Sequence, residues 1–309
     1  MKKLILLSVL LTIFTFSPVY GEDKQAFPSF EEFSEWSHRN PETDTNIDLY
    51  KRSWKDSYQH IGHGGFIEQE ILFPGNPLNP SKPGAVLKLL KAYNHGILNA
   101  KSNTQPTMHE KEQVFFFVIK GLGQVEAGGK KTEISDGSGV FIPARLEYQF
   151  FNTSEKEPLE MLIIVEEIPD NFEPITEIKV GNYHDNQPSS GWHWVHATRG
   201  IVNGAKFANR IGMGVVTIDA FDIAQPHTCP DDLEEIWFQL KGESLLFFGK
   251  NLRWHKEGEA FLVQPTFKVP HCTINHTDEP IELIYMGILY GKEREQAKQE
   301  IIDALTVSE

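Results

Sequence analysis

Four side chains in the second half of the chain have the types and spacing for metal chemistry. His227 and Cys229 stand two residues apart, Glu235 opens the next apolar run, and His271 follows beside Cys272. Period-two alternation along a strand points residues 227 and 229 to the same side. If that side is a barrel interior, His271 reaches them from an adjacent strand and Glu235 closes the set. Two or three imidazoles plus a carboxylate suit Fe(II), Mn(II), Ni(II) or Zn(II), with positions left for water or substrate. A thiolate ligand at Cys229 shifts that preference toward Zn(II) or Fe(II). The alternative use of Cys229 is a disulfide with Cys272, the only other cysteine. Alternation opposes it, because residue 272 faces outward when His271 faces in.

The elements that must position these residues occur twice. Gln105-Pro106-Thr107-Met108-His109, an apolar run to Gly121, then Tyr148, Asn152 and Pro158 form one copy. Gln225-Pro226-His227-Thr228-Cys229, an apolar run from Glu235 to Gly242, then His271, Asn275 and Pro280 form the other. The offsets are 121 residues between the glycines, 123 between the asparagines and 122 between the prolines. A repeat this long means two tandem domains rather than a solenoid. Short strands punctuated by Gly and Pro run from about Ile61: Phe66 to Leu72, Val86 to Leu90, Phe115 to Ile119, Gly123 to Ala127, Gly139 to Ile142 and Leu159 to Val165. A second set covers Val215 to Ile218, Glu235 to Leu240, Ser244 to Phe248, Ala260 to Val263 and Ile281 to Tyr290. Such even spacing predicts all-β sandwiches or barrels.

With these residues in view, the second half resembles the cupin superfamily. Pro226-His227-Thr228-Cys229 followed by Glu235 and Gly242 resembles the first cupin motif. Gly258 to Pro265 with Pro270-His271 and Asn275 resembles the second. The resemblance covers roughly residues 65–290 and implies two tandem jelly-roll (double-stranded β-helix) barrels, of the kind found in exported bacterial proteins. It implies a divalent metal in the second barrel held by His227, Glu235 and His271, with Cys229 where the family usually has a second His. Glu235 is also the candidate general base. Matching the same positions in the first copy gives Thr107, His109, Val114 and Tyr148. One imidazole with Val and Tyr holds no divalent cation tightly, so the first barrel is expected to lack metal. It is expected to serve for packing, or to bind an organic ligand through Tyr148, Gln149 and His109.

The expected organisation is a signal peptide over 1–21, an N-terminal helical extension over 22–60, a first cupin domain over 61–168, a linker over 169–191, a second over 192–291 and a C-terminal helix over 292–309. Lys2 and Lys3 before the apolar stretch Leu4 to Phe16, with small residues up to Gly21, carry the first of these and imply a periplasmic or secreted protein. Phe30, Phe33 and Trp36 at three-residue spacing suggest a packing helix.

Net charge is −14, from 29 Lys and Arg against 43 Asp and Glu. That acidity opposes nucleic acid and anionic membranes as partners. A small-molecule ligand and self-association remain. Trp192, His193, Trp194 and His196 could line a cavity but more simply pack, and Asp231, Asp232 and Glu234 read as a solvated acidic turn. The function classes left open are a metalloenzyme acting on a small oxygenated substrate such as a sugar, a uronate or a related acid, a non-catalytic binder of metal or small molecules, and a structural oligomer.

Overall fold

Residues 45–190, 197–230, 233–266 and 268–289 are described by the computed structural model. Every strand in the longer sheets but one pairs antiparallel, and each half of the repeat folds into a large sheet facing a small one. In the first half an eight-stranded sheet faces a three-stranded one; in the second a seven-stranded sheet faces a four-stranded one. Strand order confirms the duplication. The first large sheet carries Ser138–Ile142, Glu112–Lys120, Leu159–Glu167, Leu90–Leu98 and Phe66–Pro74 as neighbours in that order. The second carries Glu259–Val263, Leu233–Lys241, Ile281–Leu289, Arg210–Ile218 and Ala197–Gly200.

Alternation along these strands separates two cores. On Glu112–Lys120, Val114, Phe116 and Val118 turn into the first barrel beside Phe66, Phe150, Met161 and Ile163. Their neighbours Phe115 and Phe117 turn outward and pack with Ile236, Phe238, Ile284, Met286 and Ile288 of the second half. The central strands are therefore buried on both faces, which is why they read as continuous apolar runs rather than as alternating ones.

Buried carboxylates stitch that junction. Glu234 Oε1 accepts from the backbone N–H of Lys88 (2.6 Å) and Leu89 (2.9 Å). Glu166 accepts from the N–H of Ala208 and Asn209, the Asn209 amide and Gln113. Glu234 is thus wholly buried rather than part of a solvated turn; the carboxylate is needed where backbone donors of the opposite half have no strand partner. This tie also corrects the expected Val86 to Leu90 strand. Ala85–Leu87 forms a short parallel pairing with Phe66–Pro74, the chain bends at Lys88 and Leu89, and the long Leu90–Leu98 strand starts afresh.

The segments before each barrel are exchanged. Lys51–Ser53 pairs with Glu259–Val263 at the edge of the second barrel, clamped by Lys51 Nζ to Glu259 at 2.7 Å. Lys179–Asn182 pairs with Ser138–Ile142 of the first. Residues 45–60 accordingly hold two single-turn 3-10 helices, Ile47–Leu49 and Trp54–Asp56, around an extended strand. The expected α-helix does not extend through them, because the free sheet edge captures the backbone. The rest of that expected extension, the signal peptide and the expected C-terminal helix over 292–309 lie outside the described residues. Within the expected linker, Tyr183 is buried and donates to Glu282 at 2.9 Å.

Candidate metal centre

His227 and His271 are direct cross-strand partners: the two-residue strand His227–Thr228 pairs with Pro270–Ile274 in the small sheet. Their ring centroids lie 4.2 Å apart. Glu235 reaches them from Leu233–Lys241 in the facing sheet. Its Oε1 lies 3.0 Å from His271 Nε2 and 3.8 Å from His227 Nε2. The ligand atoms of the three residues all fall within 4.8 Å of one another.

The surroundings fix how these groups are presented. His227 Nδ1 lies 2.9 Å from the Gln225 carbonyl, so that nitrogen carries the proton and Nε2 turns its lone pair inward. Trp237, two residues after Glu235 and therefore on the same face, donates its indole N–H to Glu235 Oε1 at 2.7 Å. Burial alone would push the Glu235 carboxyl up. With positive charge on His271 and His227, their attraction and the hydrogen bonds from His271 and Trp237 outweigh it and hold the group down at about 2; a metal on the imidazole nitrogens would take the place of that charge. His271 Nδ1 is buried without a hydrogen-bond partner. An inward lone pair and a buried carboxylate aimed at one point form an arrangement that a cation relieves, so the donor set fits a divalent metal.

Cys229 does not join the three. Strand pairing ends at Thr228, so alternation no longer returns residue 229 to the face of His227. Its thiol is directed at the Leu233 carbonyl at 3.6 Å. Cys229 and Cys272 are both buried and unbridged, and burial pushes the Cys272 thiol up to about 11.

Four neighbours escaped the motif-based reading: Trp237, Tyr285, Gly287 and Gly212. Register aligns Gly212 with Gly287 and Gly287 with Glu235 across adjacent strands. The matching row in the first barrel is Ala92, Val165 and Val114. A methyl group built on Gly212 meets nothing within 4 Å, so space opens beside the donors. One on Gly287 would come within 2.3 Å of the Tyr285 hydroxyl. The missing side chain there is what lets the Tyr285 ring fold over Gly287 toward Glu235. Burial, with the negative charges of Glu235 and Cys229, raises the Tyr285 phenol well above its ordinary value, so it stays a hydrogen-bond donor. Adding the repeat offset to Ile163 would have pointed to Tyr285, and period two from Glu235 to Trp237.

In the first barrel, Thr107 faces Tyr148 as His227 faces His271. Tyr148 and His109 come together at 3.2 Å, whereas Gln149 turns away to the Thr104 carbonyl. Trp192, His193, Trp194, His196, Asp231 and Asp232 lie outside the described residues.

The cupin domain family model matches residues 96–165. That segment is similar to cupin domains. Among solved structures, its cupin fold is similar to a variant of Bacillus subtilis oxalate decarboxylase, at 14% identity over 86% of each chain and a TM-score of 0.57. It is also similar to vicilin from Corylus avellana (hazelnut), at 12% identity over 78% of this chain and 85% of that one, TM-score 0.56. GK1651 from Geobacillus kaustophilus matches at 12% identity over 79% and 96%, TM-score 0.57. Identities this low speak to the fold alone. No curated protein sequence matches the chain.

Proposed function

We propose that the second cupin barrel holds a divalent transition metal through His227, Glu235 and His271 and uses it to bind and activate a small oxygenated acid. The convergence of the three donors on one point carries this reading. Three protein ligands leave open positions in either four- or six-coordinate geometry. A divalent ion beside the single carboxylate of this set keeps one positive charge in excess. That favours a monoanion offering two oxygens, such as a 2-hydroxy or 2-oxo carboxylate or a uronate, over a neutral sugar.

When bound, the ion supplies Lewis-acid polarisation of a carbonyl or hydroxyl oxygen. The chain's own residues do the rest. Glu235 serves as a ligand, being the one carboxylate among the three converging donors. Gln225 and Trp237 orient the donors, the space over Gly212 receives the ligand, and the Tyr285 hydroxyl donates to its oxygen. Without a thiolate among the donors, two imidazoles and a carboxylate favour Fe(II) or Mn(II) over a soft-ligand zinc site.

Isothermal titration of a panel of uronates, 2-hydroxy acids, 2-oxo acids and neutral sugars, against metal-loaded and metal-free protein, tests the proposal. Mn(II) belongs in the loading series because oxalate decarboxylase, a structural relative, is described with Mn(II) centres. The expected result is binding of monoanionic acids only after loading. Equal binding with and without metal, or a preference for neutral sugars, refutes it. Binding of those acids with no turnover retains the site and makes the protein a binder rather than an enzyme.

A further inference from the structure

The first barrel carries a polar cluster that its motif positions predict only in part. His63 comes from the turn before Phe66–Pro74, Glu68 and Asn94 from the interior faces of two strands, and His109 and Tyr148 from the positions that repeat Cys229 and His271. His63 Nδ1 lies 2.6 Å from Glu68 Oε1, and His109 Nδ1 lies 3.2 Å from Glu112 Oε2. Each imidazole is thus backed at Nδ1 by a carboxylate, which leaves Nε2 to face a ligand. Metal-binding histidines are held in this way.

We propose that His63 and His109, through Nε2, and the Tyr148 hydroxyl form a second metal site, in the mouth of the first barrel. The spacing leaves room for a shared ion. For a tetrahedral ion about 2.1 Å from each nitrogen, two imidazole centroids fall about 5.2 Å apart and neighbouring donor atoms about 3.4 Å apart. The His63 and His109 centroids are 5.3 Å apart, and His109 Nε2 lies 3.2 Å from the Tyr148 hydroxyl. A zinc-like ion with a preference for four ligands fits best, the fourth being water.

Two further observations point to a ligand here. Asn94 donates from Nδ2 to Glu68 Oε2 at 3.0 Å, yet its Oδ1 is buried without a hydrogen-bond partner. His63 also adopts φ +39, a left-handed conformation that a non-glycine residue seldom takes. The Gly62–Gly65 turn imposes it through Gly65 N–H to the Gly62 carbonyl at 2.9 Å, and Gln105 N–H ties Gly64 to the segment leading to His109. Strain of this kind collects where a side chain must be aimed.

Titration of metal-free protein with Co(II) tests the site, read by bound metal per chain and by visible absorption. The background is the His227→Ala/His271→Ala double variant, which removes the second-barrel site. One Co(II) per chain with the intense absorption of a four-coordinate ion is expected. Adding His63→Asn, chosen because Asn tolerates left-handed φ, should abolish it, and adding Tyr148→Phe should weaken it at least tenfold. No bound Co(II) in the double variant, or undiminished binding after His63→Asn, overturns the proposal. Should His63→Asn lower the unfolding midpoint, His109→Gln makes the same test from the other ligand, with undiminished binding again overturning it. Failure of the second-barrel site shows separately, as wild-type protein binding no more metal than the double variant.

Discussion

Replacing Glu166 by Ala tests whether buried carboxylates hold the two halves together. Glu166 is 1% exposed. Its Oε1 accepts from Asn209 N–H at 2.6 Å and the Asn209 amide at 2.8 Å, and Oε2 from Ala208 N–H at 2.9 Å and Gln113 at 2.6 Å. Gln113 retains the Lys206 carbonyl at 3.2 Å when Glu166 is lost, but the two backbone donors lose their acceptor. Each buried donor left unsatisfied costs about 1–3 kcal/mol, so Glu166→Ala should destabilise by about 4 kcal/mol. Glu166→Gln keeps an acceptor oxygen but turns an amide toward the other donors, and should cost about half as much. Urea unfolding followed by tryptophan fluorescence measures the loss, and hydrogen exchange locates it at the amides of residues 208 and 209. A loss below about 1 kcal/mol in the Ala variant, or amides that stay protected, would refute the reasoning.

Three other outcomes follow from the same physical account. Burial, with a smaller contribution from Lys51, holds His255 down at about 3 despite its bond to the Glu259 carbonyl, so it folds neutral. The unfolded chain binds that proton below its ordinary value of 6.5, so stability falls as pH drops from there toward 3, by up to about 1.4 kcal/mol per unit. His255→Gln should remove close to one proton from the pH slope of urea stability between pH 6 and 4, and equal slopes would count against it. Gly287→Val displaces the Tyr285 ring, so it should weaken organic-ligand binding at least tenfold while metal content stays unchanged; loss of both would mean the glycine serves only packing. Cys229→Ser should leave metal content unaltered, and wild-type protein unfolded without reductant should titrate two thiols; one or none would contradict the unbridged cysteines.

The sequence made the second-barrel donors legible because His227 and His271 sit at fixed places in a repeat. Their pairing follows once the two motifs fall on neighbouring strands. Cys229 was legible as a neighbour of these donors, since it acts on Tyr285 beside them, but the strand His227–Thr228 ends before it and its thiol is directed at the Leu233 carbonyl. Tyr285 and Gly287 were readable in principle from the repeat offset, since they replace Ile163 and Val165, but no chemical motif draws attention to them. His63 was not readable. Its place depends on a glycine-rich turn and a positive φ, and it precedes the first motif altogether. Nor was the exchange of Lys51–Ser53 and Lys179–Asn182 between barrels, because strands this short carry no period of their own and owe their existence to the edge that receives them.

Anomalous X-ray diffraction from crystals grown with Mn(II) or Fe(II), recorded at the metal edge, shows whether His227, Glu235 and His271 hold a metal together. A peak is expected in the second barrel about 2.0–2.3 Å from an imidazole nitrogen of His227, an imidazole nitrogen of His271 and a Glu235 oxygen. A fully loaded crystal with no peak among those three side chains, and the Glu235–His271 hydrogen bond intact, would contradict it.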